Sequence, residues 1–147
     1  GRVMASLLFS LLLPVYGGDS AEHFEVAFRS TVTDQTRPPA QVVIVQDGPV
    51  SPALESSIER AVSTSSVPVV RHVLTENRGL AEALTLGLQL CAHDVVARMD
   101  ADDVSLPHRF ERQLPLIESG FDLVGTGMHE FIDDIGTIVA TPVPRTD

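Results

Sequence analysis

The chain has 147 residues, of which 44% are hydrophobic, and its formal net charge at pH 7 is −10. These values fit one globular domain with a sizeable core. Because nucleic acids and anionic lipids carry the same sign of charge, a surface this acidic disfavours both as main partners. All 10 basic residues are arginines, which excludes a P-loop nucleotide site and Schiff-base lysine chemistry within this chain.

The apolar run Leu7–Val15 near the N-terminus fits either a signal peptide or a buried strand. It is far shorter than the roughly 20 residues that a membrane span needs, and no small-residue cleavage site follows it. We therefore predict a strand. Residues 1–3 are interpreted as an addition in front of a natural start at Met4.

Apolar runs of strand length alternate with helical patterns along the chain. The predicted strands are Leu8–Leu13, Gln41–Val45, Val67–Leu74, Val95–Met99 and Asp122–Thr126, followed by a hairpin over 128–139 that turns at Asp133–Gly136. The predicted helices are Ser20–Asp34, Ala53–Val62, Leu80–Cys91 and Pro107–Glu118. Pro68 places the third strand at a sheet edge. The alternation predicts an α/β fold with three layers, a mainly parallel sheet with helices on both faces.

Two of the predicted helices have a clear apolar face. In the first, that face consists of Phe24, Ala27, Phe28 and Thr31. In the third, it consists of Leu80, Leu84, Gly87, Leu88 and Cys91. Cys91 is the single cysteine of the chain, so an internal disulfide is excluded, and we interpret it as a core residue rather than a reactive thiol.

In parallel sheets ligands bind beyond the carboxyl ends of the strands, so the turns after the strands are the candidate site. The strongest signal is the acidic segment Asp100–Asp103, whose three carboxylates repel one another. Such a cluster fits Mg²⁺ or Mn²⁺, which takes one or two protein carboxylates together with water and phosphate oxygens. The alternative is a solvated acidic turn that also caps the next helix.

The other turns each carry a candidate with two interpretations. Tyr16 either stacks on a nucleobase or caps the edge of the core. Asp47 either accepts hydrogen bonds from a base or ribose, or serves the turn at Gly48. In the third turn, Asn77 is suited to capping the coming helix, and Gly79 allows close approach of a ligand to the backbone. Arg78 either meets a phosphate or is solvated.

These segments together resemble the family 2 glycosyltransferases. The matching segments, in the order and approximate spacing of the family, are Leu12–Tyr16, Val43–Gly48, Glu76–Ala81 and Ala97–Asp103, and Leu106–Glu111 continues the match. One such motif is weak evidence of kinship, but four in order, each at a predicted strand end, are specific. The resemblance spans about residues 8–131 and is to bacterial members that build surface polysaccharides.

The resemblance implies a GT-A fold with a Rossmann-like nucleotide-binding half. It also implies metal-assisted, inverting transfer of a sugar from a nucleotide-sugar, most often a UDP-sugar, to a glycan or lipid-linked acceptor, with Mn²⁺ or Mg²⁺ as cofactor. The implied location is the cytoplasm, at the inner face of the membrane and beside membrane-associated partners. Exposed apolar surface is expected to favour a homodimer.

Site residues can be carried over position by position. Pro14 and Tyr16 would border the base and Asp47 would bond to it. Asn77 and Gly79 would line the same pocket. Asp100, with Ala101 beside it, would hold the ribose, and Asp102 would ligate the metal. Two departures leave the base and sugar preference open: Gln46 stands where many members have aspartate, and Thr85 where asparagine is common.

The family places its catalytic base and acceptor site downstream of the part that residues 4–147 match. No catalytic residue is therefore expected in this chain, and residues 4–147 are interpreted as the donor-binding part of a larger domain. Glu130, Asp133 and Asp134 come too early to match the base, and we interpret Asp133 and Asp134 as turn residues.

Two alternatives stay open at this point. Asp100–Val104 also fits the nucleophile motif of haloacid-dehalogenase-type phosphohydrolases, with Asp100 and Asp102 as its carboxylates. That motif usually follows the first strand, whereas here it follows the fourth, and the later lysine of that family is missing. The other alternative is a non-catalytic module that binds a nucleotide-sugar.

Overall fold

The computed structural model describes residues 8–118, 129–133 and 136–140, and side chains for residues 8–115. Its strands are β1 (Phe9–Tyr16), β2 (Gln41–Asp47), β3 (Val69–Leu74), β4 (Val95–Arg98), β5 (His129–Asp133) and β6 (Gly136–Ala140). Its helices are α1 (Ala21–Phe28), which continues into a π-helix (Arg29–Thr33), α2 (Pro52–Thr64), α3 (Leu80–Leu90) and α4 (Arg109–Glu118). The predicted strand Asp122–Thr126 lies outside the described residues.

The strands form one sheet in the order β3-β2-β1-β4-β6-β5. The first four are parallel, and β6 pairs antiparallel with both β4 and β5. The predicted hairpin is confirmed, with Asp133 opposite Gly136, and β3 lies at an edge as Pro68 predicted. The chain runs outward from β1 to β3 and then returns to the other side of β1 as β4. The order therefore reverses between β1 and β4, where an open α/β sheet has its ligand crevice.

Alternate residues of the central strands pack into two separate cores, because successive side chains of a strand point to opposite faces. Leu11 and Leu13 of β1 pack with Phe24 of α1 and Ile58 of α2. The same core contains Phe110 of α4, whose ring centroid lies 4.6 Å from that of Phe9. On the other face, Leu12 and Val43 pack against Ala83 of α3 and against Cys91. Helices cover both faces, which confirms the predicted three-layer α/β fold.

The first two helices start at serine caps. The Ser20 hydroxyl accepts a hydrogen bond from the His23 backbone N–H at 3.0 Å, and the Ser51 hydroxyl accepts one from Leu54 at 3.1 Å. The predicted buried face of the first helix is confirmed, since its four members are all buried, namely Phe24, Ala27, Phe28 and Thr31. Its last turn, Arg29–Thr33, is π-helical rather than α-helical.

Several predicted element boundaries are shifted by one to three residues, and the shifts at β1 and α4 have identifiable causes. The first strand was expected to end at Pro14 but continues to Tyr16. Because β4 pairs with β1 only as far as Leu12, β2 is the one strand among the described residues that pairs with β1 beyond that point, and a residue without an N–H is tolerated there. The last helix begins at Arg109 rather than Pro107, after a turn in which the Arg109 N–H donates to the Leu106 carbonyl at 3.1 Å.

The interpretation of Cys91 as a core residue is confirmed, because it is buried behind the end of α3. Leu80 was expected on the same apolar face but is 49% exposed, because it lies in the first turn of α3 at the edge of a cavity. Within the described part of the chain, none of the helices has the length and apolarity needed to cross a membrane.

Candidate functional site

A cavity of about 460 Å³ opens at the carboxyl ends of β1 and β4, where the strand order reverses. This volume is within the range of small-molecule sites in proteins. The residues that line it are Pro14, Val15, Tyr16, Asp19, Asp47, Asn77, Gly79, Leu80, Ala83, Asp100, Ala101 and Asp102. Every residue that the sequence indicated for the site is among them except Arg78. Sequence reasoning missed Val15, Asp19, Leu80 and Ala83.

A tight turn holds Tyr16 at the mouth of the cavity. The Asp19 carboxylate accepts a hydrogen bond from the Tyr16 N–H at 3.0 Å, and the Asp19 N–H donates to the Tyr16 carbonyl at 3.1 Å. A Cβ on Gly18 would lie 2.5 Å from the Tyr16 hydroxyl oxygen, so only glycine lets the ring fold over the turn. Tyr16 is the last residue of β1 and is 52% exposed.

Asp47 is 4% exposed and ties the end of β2 to the loop that precedes α3. Its Oδ1 accepts a hydrogen bond from the Arg78 N–H at 2.7 Å. Its Oδ2 accepts from the Gly79 N–H at 3.0 Å and from the Asn77 side-chain amide at 3.2 Å. A carboxylate has about four acceptor positions, so these bonds leave one on Oδ1 for a ligand.

The third turn corrects two expectations. Asn77 does not cap α3: its side chain donates to Asp47, and the capping position belongs to Gly79, at φ 100°. A Cβ on Gly79 would meet no atom within 4 Å, so the cavity is open beside it. Arg78 does not line the cavity, because its guanidinium is 3.0 Å from the Glu82 carboxylate in an exposed pair. Side-chain direction, which spacing along the chain does not reveal, decides both cases.

Gln46 lies behind the cavity wall rather than in it. Its side-chain oxygen accepts a hydrogen bond from Arg71 at 2.6 Å, and its amide donates to the Gly48 carbonyl at 3.3 Å. Arg71 also pairs with Glu55 at 2.9 Å. The neutral side chain of Gln46 therefore packs behind Asp47 and does not face the cavity.

The acidic loop, Met99–Ser105, follows β4 and forms one wall of the cavity. Asp100 accepts hydrogen bonds from the Arg98 guanidinium at 3.1 and 3.4 Å, whereas Asp102 is exposed at the mouth. The alternative role as a helix cap is wrong for this loop, because α4 begins several residues past Asp103. A side chain caps the helix that starts directly after it.

Negative charge accumulates where the acidic loop faces the turn after β1. Burial, and then the neighbouring charges of Asp102 and Asp100, raise the pKa of Asp19 above its ordinary value. Burial, and then the charges of Asp100 and Asp102, also raise the pKa of Asp103. A cation at this position would relieve the repulsion between these carboxylates.

The side chains that line the cavity and carry a charge at pH 7, among the residues described, are all aspartates: Asp19, Asp47, Asp100 and Asp102. No three His, Cys, Asp or Glu side chains in residues 8–115 are grouped so as to enclose a metal ion by themselves. Mg²⁺ and Mn²⁺ are commonly held by one or two carboxylates with the remaining positions filled by water and phosphate oxygens. The oxygen-only donor set of the cavity fits this kind of shared site.

Comparison with known proteins gives relatives over most of the chain. The amylovoran biosynthesis glycosyltransferase AmsE of Erwinia amylovora is 40% identical over 120 residues, which cover 82% of this chain and 44% of the relative. The UDP-Gal:alpha-D-GlcNAc-diphosphoundecaprenol beta-1,3-galactosyltransferase of Escherichia coli is 34% identical over 115 residues, which cover 78% of this chain and 41% of the relative. The chain thus spans less than half the length of these curated relatives.

Solved structures confirm the GT-A fold that the motifs implied. S. aureus TarS 1-349 matches with a TM-score of 0.69 at 15% identity, over 91% of this chain and 47% of that one. The mannosyltransferase PcManGT from Pyrobaculum calidifontis, in complex with GDP-Man and Mn2+, matches with a TM-score of 0.65 at 23% identity, over 82% of this chain and 34% of that one.

The model of the family described as "Glycosyl transferase family 2" matches residues 10–142. The match includes the acidic loop, so the phosphohydrolase alternative, which was based on the Asp100–Val104 motif alone, loses its support. Fold, relatives and family model agree with the resemblance carried by the strand-end motifs. The chain therefore belongs to glycosyl transferase family 2.

Proposed function

We propose that this chain binds a UDP-sugar together with a divalent metal ion and serves as the donor-binding part of an inverting glycosyltransferase. The proposed acceptor is a glycan or a lipid-linked sugar. The observation that carries the proposal is the composition of the cavity at the strand-order reversal. It combines an exposed aromatic ring, a carboxylate with one free acceptor position, and an exposed carboxylate on the acidic loop.

The base end of the donor is assigned to the part of the cavity between β1 and β2. Tyr16 and Pro14 line this part of the cavity, and stacking of an aromatic ring on a base contributes about 1–3 kcal/mol in other proteins. The remaining acceptor position of Asp47 suits an N–H donor, such as the imide of uracil. Asn77 and Gly79 complete this wall.

The ribose and diphosphate end is assigned to the acidic loop. Asp100, oriented by Arg98, and Ala101 would lie at the ribose, and Asp102 would hold the metal. Since the described lining contains carboxylates and no basic side chain, a diphosphate needs a cation to enter. When bound, the metal would neutralise charge on the departing diphosphate. Arg78 is left out of the assignment because it pairs with Glu82.

The relatives support the choice of substrates. One is named for a UDP-Gal donor and a diphosphoundecaprenol-linked sugar, and others are undecaprenyl-phosphate transferases. Among the structural neighbours, TarS 1-349 has been solved with UDP and with UDP-GlcNAc, and the Pyrobaculum enzyme with GDP-Man and Mn2+. UDP is therefore the first nucleotide to test and GDP the second.

The test is a thermal-shift panel of UDP, GDP and ADP, each with Mn²⁺, Mg²⁺ or a chelator. UDP should stabilise the chain most, and more with metal than with chelator. A ligand at 100 times its Kd adds about 2.7 kcal/mol. Asp102→Asn should remove the metal-dependent part of the shift. Glu59→Gln is the matched control, since Glu59 is exposed on α2, away from the cavity.

Three outcomes would count against the proposal. Equal shifts with metal and with chelator would exclude Asp102 as a metal ligand. A larger shift with ADP than with UDP would remove the donor assignment. An identical loss in Asp102→Asn and Glu59→Gln would show that the metal acts through net charge rather than through a site.

A further inference from the structure

Arg109, the first residue of α4, is fully buried, although its guanidinium carries a charge. Its Nη2 donates to the Arg98 backbone carbonyl at 3.1 Å, and its Nη1 donates to the Ser105 hydroxyl at 3.2 Å. Arg98 immediately precedes the acidic loop and Ser105 ends it. One side chain therefore joins the two ends of the loop that carries Asp100 and Asp102.

Packing alone does not explain an arginine at this position. Burying a charge is costly even when it is hydrogen-bonded, and an apolar side chain of similar volume usually serves a core as well or better. The guanidinium donates to groups at both ends of the loop and, through Nε, to the Gln113 side-chain oxygen at 3.3 Å, and it lies 4.6 Å from the Phe110 ring centroid. A rigid fork of this kind fixes the relative position of the groups that it bridges.

A second set of contacts anchors the same end of the loop from the other side. The Ser105 N–H donates to the Ser30 hydroxyl at 3.0 Å, and the Ser105 and Thr31 hydroxyls lie 3.1 Å apart. Gln35 donates to the Leu106 carbonyl at 2.6 Å. Ser30 and Thr31 belong to the π-helix Arg29–Thr33, and π-helical turns are rare and frequent at functional sites.

We propose that Arg109 is a positioning residue that, together with Ser105, holds the acidic loop so that Asp100 and Asp102 face the cavity. The role in metal and donor binding rests on the proposed function, whereas the mechanical role does not. Arg109 is separated from the cavity by the loop that it holds and is not among the lining residues. It acts through the two aspartates rather than on the donor.

The experiment compares Arg109→Lys, Arg109→Met and Ser105→Ala with Arg112→Met, a control at an exposed position of the same helix. Lysine keeps the charge but cannot bridge both ends of the loop. Calorimetry with UDP and Mn²⁺ should show binding that is weaker by roughly 10–100-fold in the Arg109 variants, as for other residues that support metal ligands. Binding of uridine without metal should stay within about twofold, because its contacts lie on β1 and β2.

Hydrogen exchange provides the readout that does not depend on any ligand. In Arg109→Lys and Ser105→Ala, amides of the acidic loop should exchange faster, while those of β2 and α2 stay as in the parent chain. If Arg109→Met fails to fold, Ser105→Ala still tests the positioning role, because it removes a single hydroxyl group from the loop. Unchanged loop exchange, or an equal loss of UDP and uridine binding, would overturn the positioning role. A different result would separate the two proposals. If the variants show faster loop exchange but the parent chain shows no metal-dependent UDP binding, the positioning role of Arg109 stands and the proposed function is rejected.

Discussion

Tyr16 has two roles to separate at the scale of a single residue, a stacking platform for a base and a cap on the core edge. Its ring is half-exposed and folded over Gly18. Tyr16→Ala should weaken binding of uridine by about 1–3 kcal/mol, because the stacking face is lost. Tyr16→Phe keeps that face and should bind uridine nearly as well. Calorimetry on both variants, without metal, gives the comparison.

Unchanged uridine binding in Tyr16→Ala, with a lowered melting temperature, would show that the ring is only a cap on the core. If Tyr16→Phe loses as much uridine affinity as Tyr16→Ala, the interaction with uridine would be assigned to the hydroxyl rather than to the ring face.

Asp19 supplies a prediction about pH. Burial and the charges of Asp102 and Asp100 raise its pKa in the folded chain, so ionisation is less favourable in the folded state than in the unfolded one. The free energy of unfolding therefore decreases as pH rises from the ordinary carboxylate range through the raised pKa, and stays lower above it. Asp19→Asn removes the charge and keeps an oxygen to accept from the Tyr16 N–H.

Without metal, Asp19→Asn should consequently melt at a higher temperature than the parent chain at pH 7, and the difference should shrink toward pH 4. Melting curves at several pH values measure this, with Glu59→Gln as the control for loss of one exposed negative charge. A variant less stable than the parent at pH 7 would mean that the hydrogen bonding of the Asp19 carboxylate stabilises the Tyr16–Asp19 turn by more than the burial and repulsion of its charge destabilise it.

Single residues were predictable from the sequence where chemistry and strand ends coincide. Tyr16, Asp47 and Asp102 follow strands and line the cavity as expected. Asp19 was not found, although an acidic residue in the turn that carries Tyr16 is a usable signal. Arg109 lies in the segment Leu106–Glu111 that continues the family match, but that match gave no indication of its proposed positioning role, which depends on burial and on contacts with Arg98 and Ser105.

At the scale of elements, hydrophobic periodicity and the positions of proline and glycine predicted all the described strands and helices. Boundaries were less accurate, since the number of paired neighbours decides where a strand ends, as at Pro14. The π-helix Arg29–Thr33 was not predictable, because its extra residue per turn is stabilised by tertiary contacts such as that of Ser30 with Ser105.

The packing of α3 onto the sheet depends on Gly87. A Cβ at that position would clash with a Leu12 methyl and lie 3.1 Å from a Val45 methyl, both in the core on this face. Gly87→Val should destabilise the chain by about 1–3 kcal/mol through overpacking. Valine has a higher helix propensity than glycine, so propensity does not explain a loss at position 87, and Gln89→Val, on the exposed side of the same helix, controls for the introduction of a β-branched side chain without overpacking. Urea denaturation of both variants tests this, and a Gly87→Val variant as stable as the parent chain would contradict the overpacking.

At the scale of the whole molecule, net charge and topology act together. A net charge of −10 opposes the approach of a nucleotide diphosphate, and the acidic loop lies where strand order reverses and the crevice opens. Metal binding is the way in which such a site can accept an anion. The order of the strands was not derivable from composition or periodicity, whereas the strand-end motifs of the family implied it through the GT-A fold.

The last prediction concerns the activity of the chain as a whole. Inverting transfer requires a base that deprotonates the acceptor hydroxyl, worth typically 10²–10⁴-fold, and an acceptor held in line with the anomeric carbon. In the proposed function, the residues described at the cavity have roles in donor binding and in support of the leaving group only. The family resemblance places the base and the acceptor wall downstream of the matched part, and the chain spans less than half of its curated relatives.

Residues 1–147 alone should therefore bind UDP with metal but transfer no sugar to glycan or lipid-linked acceptors. Slow hydrolysis of the donor is compatible with this expectation, because water needs no acceptor site. The measurement is an incubation with UDP-sugars, Mn²⁺ and acceptors, followed by mass spectrometry of the products, beside the full-length Erwinia amylovora relative as a control. Glycoside formation by this chain, abolished in Asp102→Asn, would place a catalytic base within residues 1–147 and overturn the division between donor binding here and catalysis elsewhere.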